Sequence, residues 1–110
     1  MINASFAAGT DIQSFDPLSG KFVFKFRGRE FIASKEGTKF DLFSGRDKKH
    51  IGVIRVGSPN SGAIWKKDEC IGEYIMDERG KYSVIPIKEG FKSPSVISIT
   101  SPLTYLLDKI

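Results

Sequence analysis

The sequence predicts an all-β domain, a small antiparallel barrel or strongly bent sheet of about seven to eight strands, OB-like or SH3-like in type, with a short C-terminal helix. Three observations carry this. Glycines recur at 20, 28, 37, 45, 52, 57, 62, 72, 80 and 90, mostly eight to ten residues apart, and the segments between them are rich in Phe, Ile, Val and Tyr, the rhythm of a β-meander. Residues Lys21 to Phe31 place phenylalanine at alternate positions with cations between, the period of a strand with one buried face. From Ser101 onward the apolar residues change to helical spacing.

Taken in order, residues 1–20 form an N-terminal segment without a strong periodic signal, carrying only Asp11 and Asp16 as charges. The domain proper is expected over 21–110. Its candidate strands are Phe22 to Phe26, Phe31 to Ser34, Lys39 to Ser44, Ile51 to Val56, Ala63 to Lys67, Ile71 to Met76, Tyr82 to Lys88 and Val96 to Thr100. Gly28-Arg29 suits a two-residue type II′ turn, which sets Phe26 opposite Phe31 and Arg27 opposite Glu30. Ser34-Lys35-Glu36-Gly37 and Asp77-Glu78-Arg79-Gly80 each read as a type I turn closing through a left-handed glycine. The segment from Gly57 to Gly62, with two glycines and a proline, reads as a looser, mobile loop. Pro86 has no N–H to give to a ladder, so its strand belongs at a sheet edge or carries a bulge there. Ser101 and Pro102 are a cap and a first helical residue, and Leu103, Leu106, Leu107 and Ile110 form the apolar stripe of a helix over about 102–110. That stripe fits the open end of a small barrel.

A chain of 110 residues that is 40% hydrophobic and 27% charged suffices for one core and one domain. Cys70 is the only cysteine, which excludes an intramolecular disulfide and, with no leader-like or membrane-spanning stretch, points to the cytoplasm. Catalysis has little support. His50 is the only histidine and lies in the charged run Arg46-Asp47-Lys48-Lys49, no Gly-x-Ser-x-Gly elbow or phosphate-cradling glycine loop is present, and Cys70 reads as a small buried strand residue. No metal or other cofactor is expected, and Ser58-Pro59, Ser93-Pro94 and Ser101-Pro102 are explained by turn and cap roles.

Charge is the functional signal. Residues 21–67 carry twelve Lys and Arg against four Asp and Glu, a net of +8, while residues 1–20 and 68–110 each carry −2. Such polarity attracts polyanions or an acidic protein surface. The expected function is therefore a non-enzymatic nucleic-acid-binding module, single-stranded DNA or RNA favoured, that contacts backbone phosphates through a basic hairpin face. The candidate residues are Lys21, Lys25, Arg27, Arg29, Lys48, Lys49, Arg55, Trp65, Lys66 and Lys67. Alternation puts Phe22, Phe24, Phe26, Phe31 and Ala33 on one face, the core, so these rings do not serve as stacking platforms. Trp65 is the candidate stacking ring beside the cations; the same ring also suits sealing a barrel end. The alternative is a small protein-interaction or regulatory subunit that docks an acidic partner on the basic face, or pairs with another chain, including a second copy, through a strand edge such as that near Pro86. Membrane binding is disfavoured because the C-terminal helix has only Lys109 on its polar face.

Overall fold

The computed structural model describes residues 11–16, 20–58 and 60–110. It is a meander of antiparallel strands: β1 (Asp11–Asp16), β2 (Lys21–Phe26), β3 (Arg29–Glu36), β4 (Lys39–Ser44), β5 (His50–Ser58), β6 (Ser61–Lys66), β7 (Glu69–Met76), β8 (Tyr82–Lys88), β9 (Phe91–Lys92) and β10 (Ser98–Ile99), followed by the helix α1 (Pro102–Asp108). Sequential neighbours pair from β1 to β8; β10 then pairs β8, and β9 pairs the far end of β8. Among the described residues no ladder joins the two ends of this path, so the sheet is open. It is also bent. The β2–β3 turn and the end of β6, four strands apart, both reach the C-terminus of α1, through an Arg27–Asp108 ion pair and a hydrogen bond from Lys66 Nζ to the Lys109 carbonyl. The expected segment 1–20 falls largely outside the described residues, apart from Gly20 and the Asp11–Asp16 stretch, which adds a strand beside β2.

One face of the sheet is core. Phe22, Phe24, Phe31, Ala33, Phe40, Leu42, Ile54, Ile64, Tyr74, Tyr82 and Val84 are buried together with Leu103, Tyr105, Leu106 and Leu107 of α1. This is the phenylalanine face that alternation requires, and the Phe24 and Phe31 rings stack at 5.7 Å. The hairpin register differs from expectation. The two loop residues are Arg27 and Gly28, both with positive φ (52° and 77°), as a type I′ turn demands, and Phe24 rather than Phe26 faces Phe31. Pairing shifts by two residues, not one, so every side chain keeps its face.

Other turns are tighter than their sequences suggest. β3 runs on through Glu36, which pairs Lys39, leaving Gly37-Thr38 as the loop, with Gly37 left-handed at φ 60°. The expected loose 57–62 segment is a hairpin: Ser58 pairs Ser61, their hydroxyls lie 2.7 Å apart, and the connection is Pro59-Asn60, of which Pro59 lies outside the described residues. The Asp77 turn is as expected, with Gly80 N–H donating to the Asp77 carbonyl and Asp77 Oδ1 accepting from the amides of Arg79 and Lys81. Pro86 pairs Gly72 on one side; on the other it lies between the short ladders of β10 (to Ser83 and Val84) and β9 (to Ile87 and Lys88). That arrangement tolerates the missing N–H. The strand expected over 96–100 is shortened to β10, Ser98–Ile99, and a 3₁₀ turn, Pro94–Val96, takes its first residue, since Pro94 presets the first helical φ.

The helix begins where capping requires. Ser101 Oγ accepts the Thr104 amide at 3.1 Å, and Pro102 occupies the first turn. Ser101→Ala should lower stability by about 1 kcal/mol, read as a drop in the denaturation midpoint; an unchanged midpoint would show that the cap adds nothing. α1 packs closely on the sheet because Gly52 and Gly72 present no side chain beneath it: a Cβ at Gly52 would meet both Leu106 methyls at 3.1 Å, and one at Gly72 the Tyr105 ring at 3.2 Å. Opposite Gly62, Tyr74 fills the missing side chain's place. Burial, with the neighbouring Tyr82, pushes the Tyr74 phenol up to about 12. A tyrosine that ionises near pH 10 when unfolded but near 12 when folded stabilises the fold fully below pH 10 and loses that contribution as pH rises to 12. Tyr74→Phe should therefore flatten the fall in thermal midpoint between pH 10 and 12; an identical fall in both proteins would rule Tyr74 out as its source.

Candidate nucleic-acid interface

In a meander successive turns alternate between the two ends of the sheet, so the turns after β2, β4, β6 and β8 share one rim. This rim gathers six of the ten candidate residues. Arg27 lies in the first turn and Arg29 follows it, Lys48 and Lys49 lie in the second, and Lys66 and Lys67 enter the third. Hydrogen bonds tie the turns together laterally: Gly45 N–H donates to the Glu30 carbonyl, and Lys67 N–H to the Ile51 carbonyl.

Each turn aims its cations by backbone geometry. Lys48 is left-handed (φ 61°), its amide donates to the Ser44 carbonyl at 2.9 Å, and its ammonium returns to the Gly45 carbonyl at 3.1 Å. Asp47 Oδ1 accepts the Lys49 amide, which holds the Asp47 carboxyl below the usual carboxylate range and leaves the Lys49 side chain exposed. Arg27 is drawn toward the helix end by Asp108 at 3.0 Å and lies over the Phe26 ring, while Arg29 lies over Phe31. Lys67 is left-handed (φ 55°) and exposed.

The other four candidates are elsewhere. Lys25 pairs Glu30 on the outer face just behind the rim, Lys21 begins β2 at the opposite end, and Arg55 pairs Lys39 and Ala63 on the outer face toward that same opposite end. Trp65 is half-buried on the outer face between Val53 and Cys70, and its indole Nε1 is covered without a hydrogen-bond partner. Lys67, which simple alternation places beside the indole, lies beyond the end of β6 in the left-handed turn rather than on the strand.

Topology adds residues that sequence reasoning missed. Arg46 joins the rim through the second turn, Lys88 through the fourth, and Lys109 through the C-terminus of α1. Lys88 and Lys109 belong to the half of the chain with net negative charge, so charge blocks along the sequence hid them. Carboxylates are interspersed: Asp47, Asp68, Glu69, Glu89 and Asp108 lie on the same rim, which makes it a mixed surface with a basic excess. His50 is on the outer face, its Nε2 2.8 Å from Asp41 Oδ1 and its ring edge-on to Phe43. Among the described residues no group of His, Cys, Asp and Glu is placed to hold a metal ion, and no helix is long and apolar enough to cross a membrane.

No protein-family model, curated protein sequence or solved structure matches this chain.

Proposed function

We propose that this protein is a non-enzymatic module that binds the phosphate backbone of nucleic acid, single strands favoured, with the basic rim of its bent sheet. The observation that carries the reading is the gathering of Arg27, Arg29, Arg46, Lys48, Lys49, Lys66 and Lys67 on consecutive hairpin tips at one end. Cations on tips reach phosphates without the sheet itself having to fit a groove, and such contacts carry affinity without sequence information. The bent sheet, in this reading, acts as a partly open small barrel of the OB-like or SH3-like kind that presents loops from one end. With the Trp65 indole half-buried, charge rather than base stacking supplies the affinity. The test is fluorescence anisotropy with labelled oligothymidylate and oligouridylate at low salt. Binding whose logarithm falls linearly with log salt is expected; no detectable binding to single- or double-stranded DNA or RNA at low salt would end the proposal.

A second reading is favoured by one further feature. Beside β8 the sheet has a short, apolar edge, where Ile99 is 82% and Phe91 76% exposed and Val96 and Ile97 are exposed too. Exposed apolar residues along an incompletely paired edge suit pairing with another chain. A protein-interaction role through this edge, including self-pairing, predicts a concentration-dependent mass in light scattering that Ile99→Lys abolishes. A mass that stays monomeric, in the absence of any captured partner, argues against it.

A further inference from the structure

A recess of about 350 Å³ opens between β6, β7, β8 and the C-terminal turn of α1, lined by Lys66, Glu69, Ile71, Pro86, Ile87, Lys88, Tyr105 and Lys109. Its origin is local. Gly72 pairs Pro86, so neither strand sends a long side chain across this part of the concave face, and β9 and β10 leave Pro86 between their ladders. The floor is apolar and already hydrogen-bonded: the Tyr105 hydroxyl donates to the Ile71 carbonyl at 3.1 Å, so the ring offers carbon surface rather than a polar group in need of a partner. The walls are cationic. Lys66, Lys88 and Lys109 border the recess against one carboxylate, Glu69. Lys109 Nζ lies 5.1 Å over the Tyr105 ring, and Lys66 uses one of its three N–H groups on the Lys109 carbonyl.

We propose that this recess is a binding site for a small organic monoanion, an aliphatic or aryl carboxylate or sulfonate, whose apolar body lies on Ile71, Pro86, Ile87 and Tyr105 and whose anionic head is held by Lys66, Lys88 and Lys109. Volume and lining match the general form of a small-molecule site, apolar walls with a few convergent polar groups. Charge selects the head. Three ammonium groups around a single carboxylate leave an uncompensated positive field where the apolar floor lowers the local dielectric, so an anion bearing a hydrophobic tail satisfies both surfaces at once, and neither inorganic phosphate nor a neutral hydrocarbon does. The site shares Lys66 with the basic rim but does not need the nucleic-acid reading, and it stands if that reading fails.

The test uses 8-anilinonaphthalene-1-sulfonate, which carries an aryl body and one sulfonate, with the intact protein. Saturable fluorescence enhancement is expected, displaced by octanoate but not by inorganic phosphate, with amide shift changes at Ile71, Ile87, Tyr105 and Lys109. The neutral analogue N-phenyl-1-naphthylamine should bind at least roughly 10-fold more weakly, and Lys88→Glu should weaken the sulfonate roughly 10-fold. Lys81→Glu, at the opposite end of the sheet, makes the same charge change and should leave binding unaltered. Thermal midpoints of both variants verify that the fold persists. Equal affinity for the neutral analogue, insensitivity to Lys88→Glu, or shift changes confined to Phe91, Ile97 and Ile99 would each overturn the proposal.

Discussion

Gly52→Ala lowers the stability of the domain by about 3 kcal/mol, a loss expected to bring the thermal midpoint down by on the order of 15 °C. The substitution adds one methyl group, and on a typical strand it is benign. Here the new Cβ would stand 2.3 Å from the Trp65 carbonyl oxygen on β6 and 3.1 Å from both Leu106 methyls on α1. Two contacts must yield together, since β5 and β6 have to separate while the helix rises off the sheet. Neither is a flexible side-chain end: one is ladder backbone and the other is a fully buried core residue. Close-packed interiors absorb such intrusions by displacing neighbours, which forfeits dispersion contacts throughout the helix interface. Gly57→Ala is the matching control, because the nearest atom to its Cβ would be 3.8 Å away and the backbone there is not left-handed. Chemical denaturation monitored by circular dichroism should separate the two variants clearly. A Gly52→Ala midpoint within the range of Gly57→Ala would mean that α1 does not rest on the sheet as described.

Charge reversal at the second turn, Lys48→Glu with Lys49→Glu, should weaken single-stranded nucleic acid roughly 10- to 100-fold at low salt and flatten the slope of log affinity against log salt by about 1.4, two phosphate contacts at about 0.7 each. The loss should be similar for all oligonucleotide sequences, because contacts to phosphate carry no base information. Net charge alone makes a competing account, and position discriminates it. Lys21→Glu with Arg55→Glu changes the formal charge by the same amount, yet these residues lie toward the other end of the sheet and on its outer face. If affinity depends on the rim, the second pair costs less than about threefold; equal losses from both pairs would replace a located interface by diffuse attraction. Both pairs are on turns or exposed strand positions, so the thermal midpoint should change little.

The hairpin around Gly28 shows how much a local pattern can specify. Phe22, Phe24 and Phe31 are buried and Phe26 half-buried on the face that alternation requires, although the turn is one residue earlier than the sequence chemistry suggested and the pairing differs by two. Face is a matter of parity and survives an even shift; register depends on which residue accepts left-handed φ, and Arg27 does so beside Gly28. The Gly57 to Gly62 segment shows the opposite limit. Its glycines and proline read as slack, but Gly62 pairs Val56 and packs against Tyr74, and the remaining connection is short. A glycine spared for close packing and a glycine spared for flexibility look the same in a sequence.

The candidate interface divides in the same way. Lys48 and Lys49 were legible as a charged turn, and Arg27 and Arg29 as hairpin cations. Trp65 was placed beside Lys67 by simple alternation, but β6 ends at Lys66 and Lys67 belongs to the left-handed turn. Lys88 and Lys109 were invisible as partners of Lys66, being 22 and 43 residues away from it along the chain.

By itself, then, the sequence determined the all-β class, the antiparallel meander, the buried phenylalanine face, the capped terminal helix and the excess of cations in residues 21–67, because each arises from neighbours two to four residues apart through strand alternation, turn dihedrals and helix capping. Only the tertiary structure decided that the sheet stays open, that glycines 52 and 72 admit the helix, and that cations from four separate turns and a helix end share one rim. Those outcomes depend on close packing between segments far apart in the chain and on the end-to-end alternation of successive turns, neither of which any local window of residues contains.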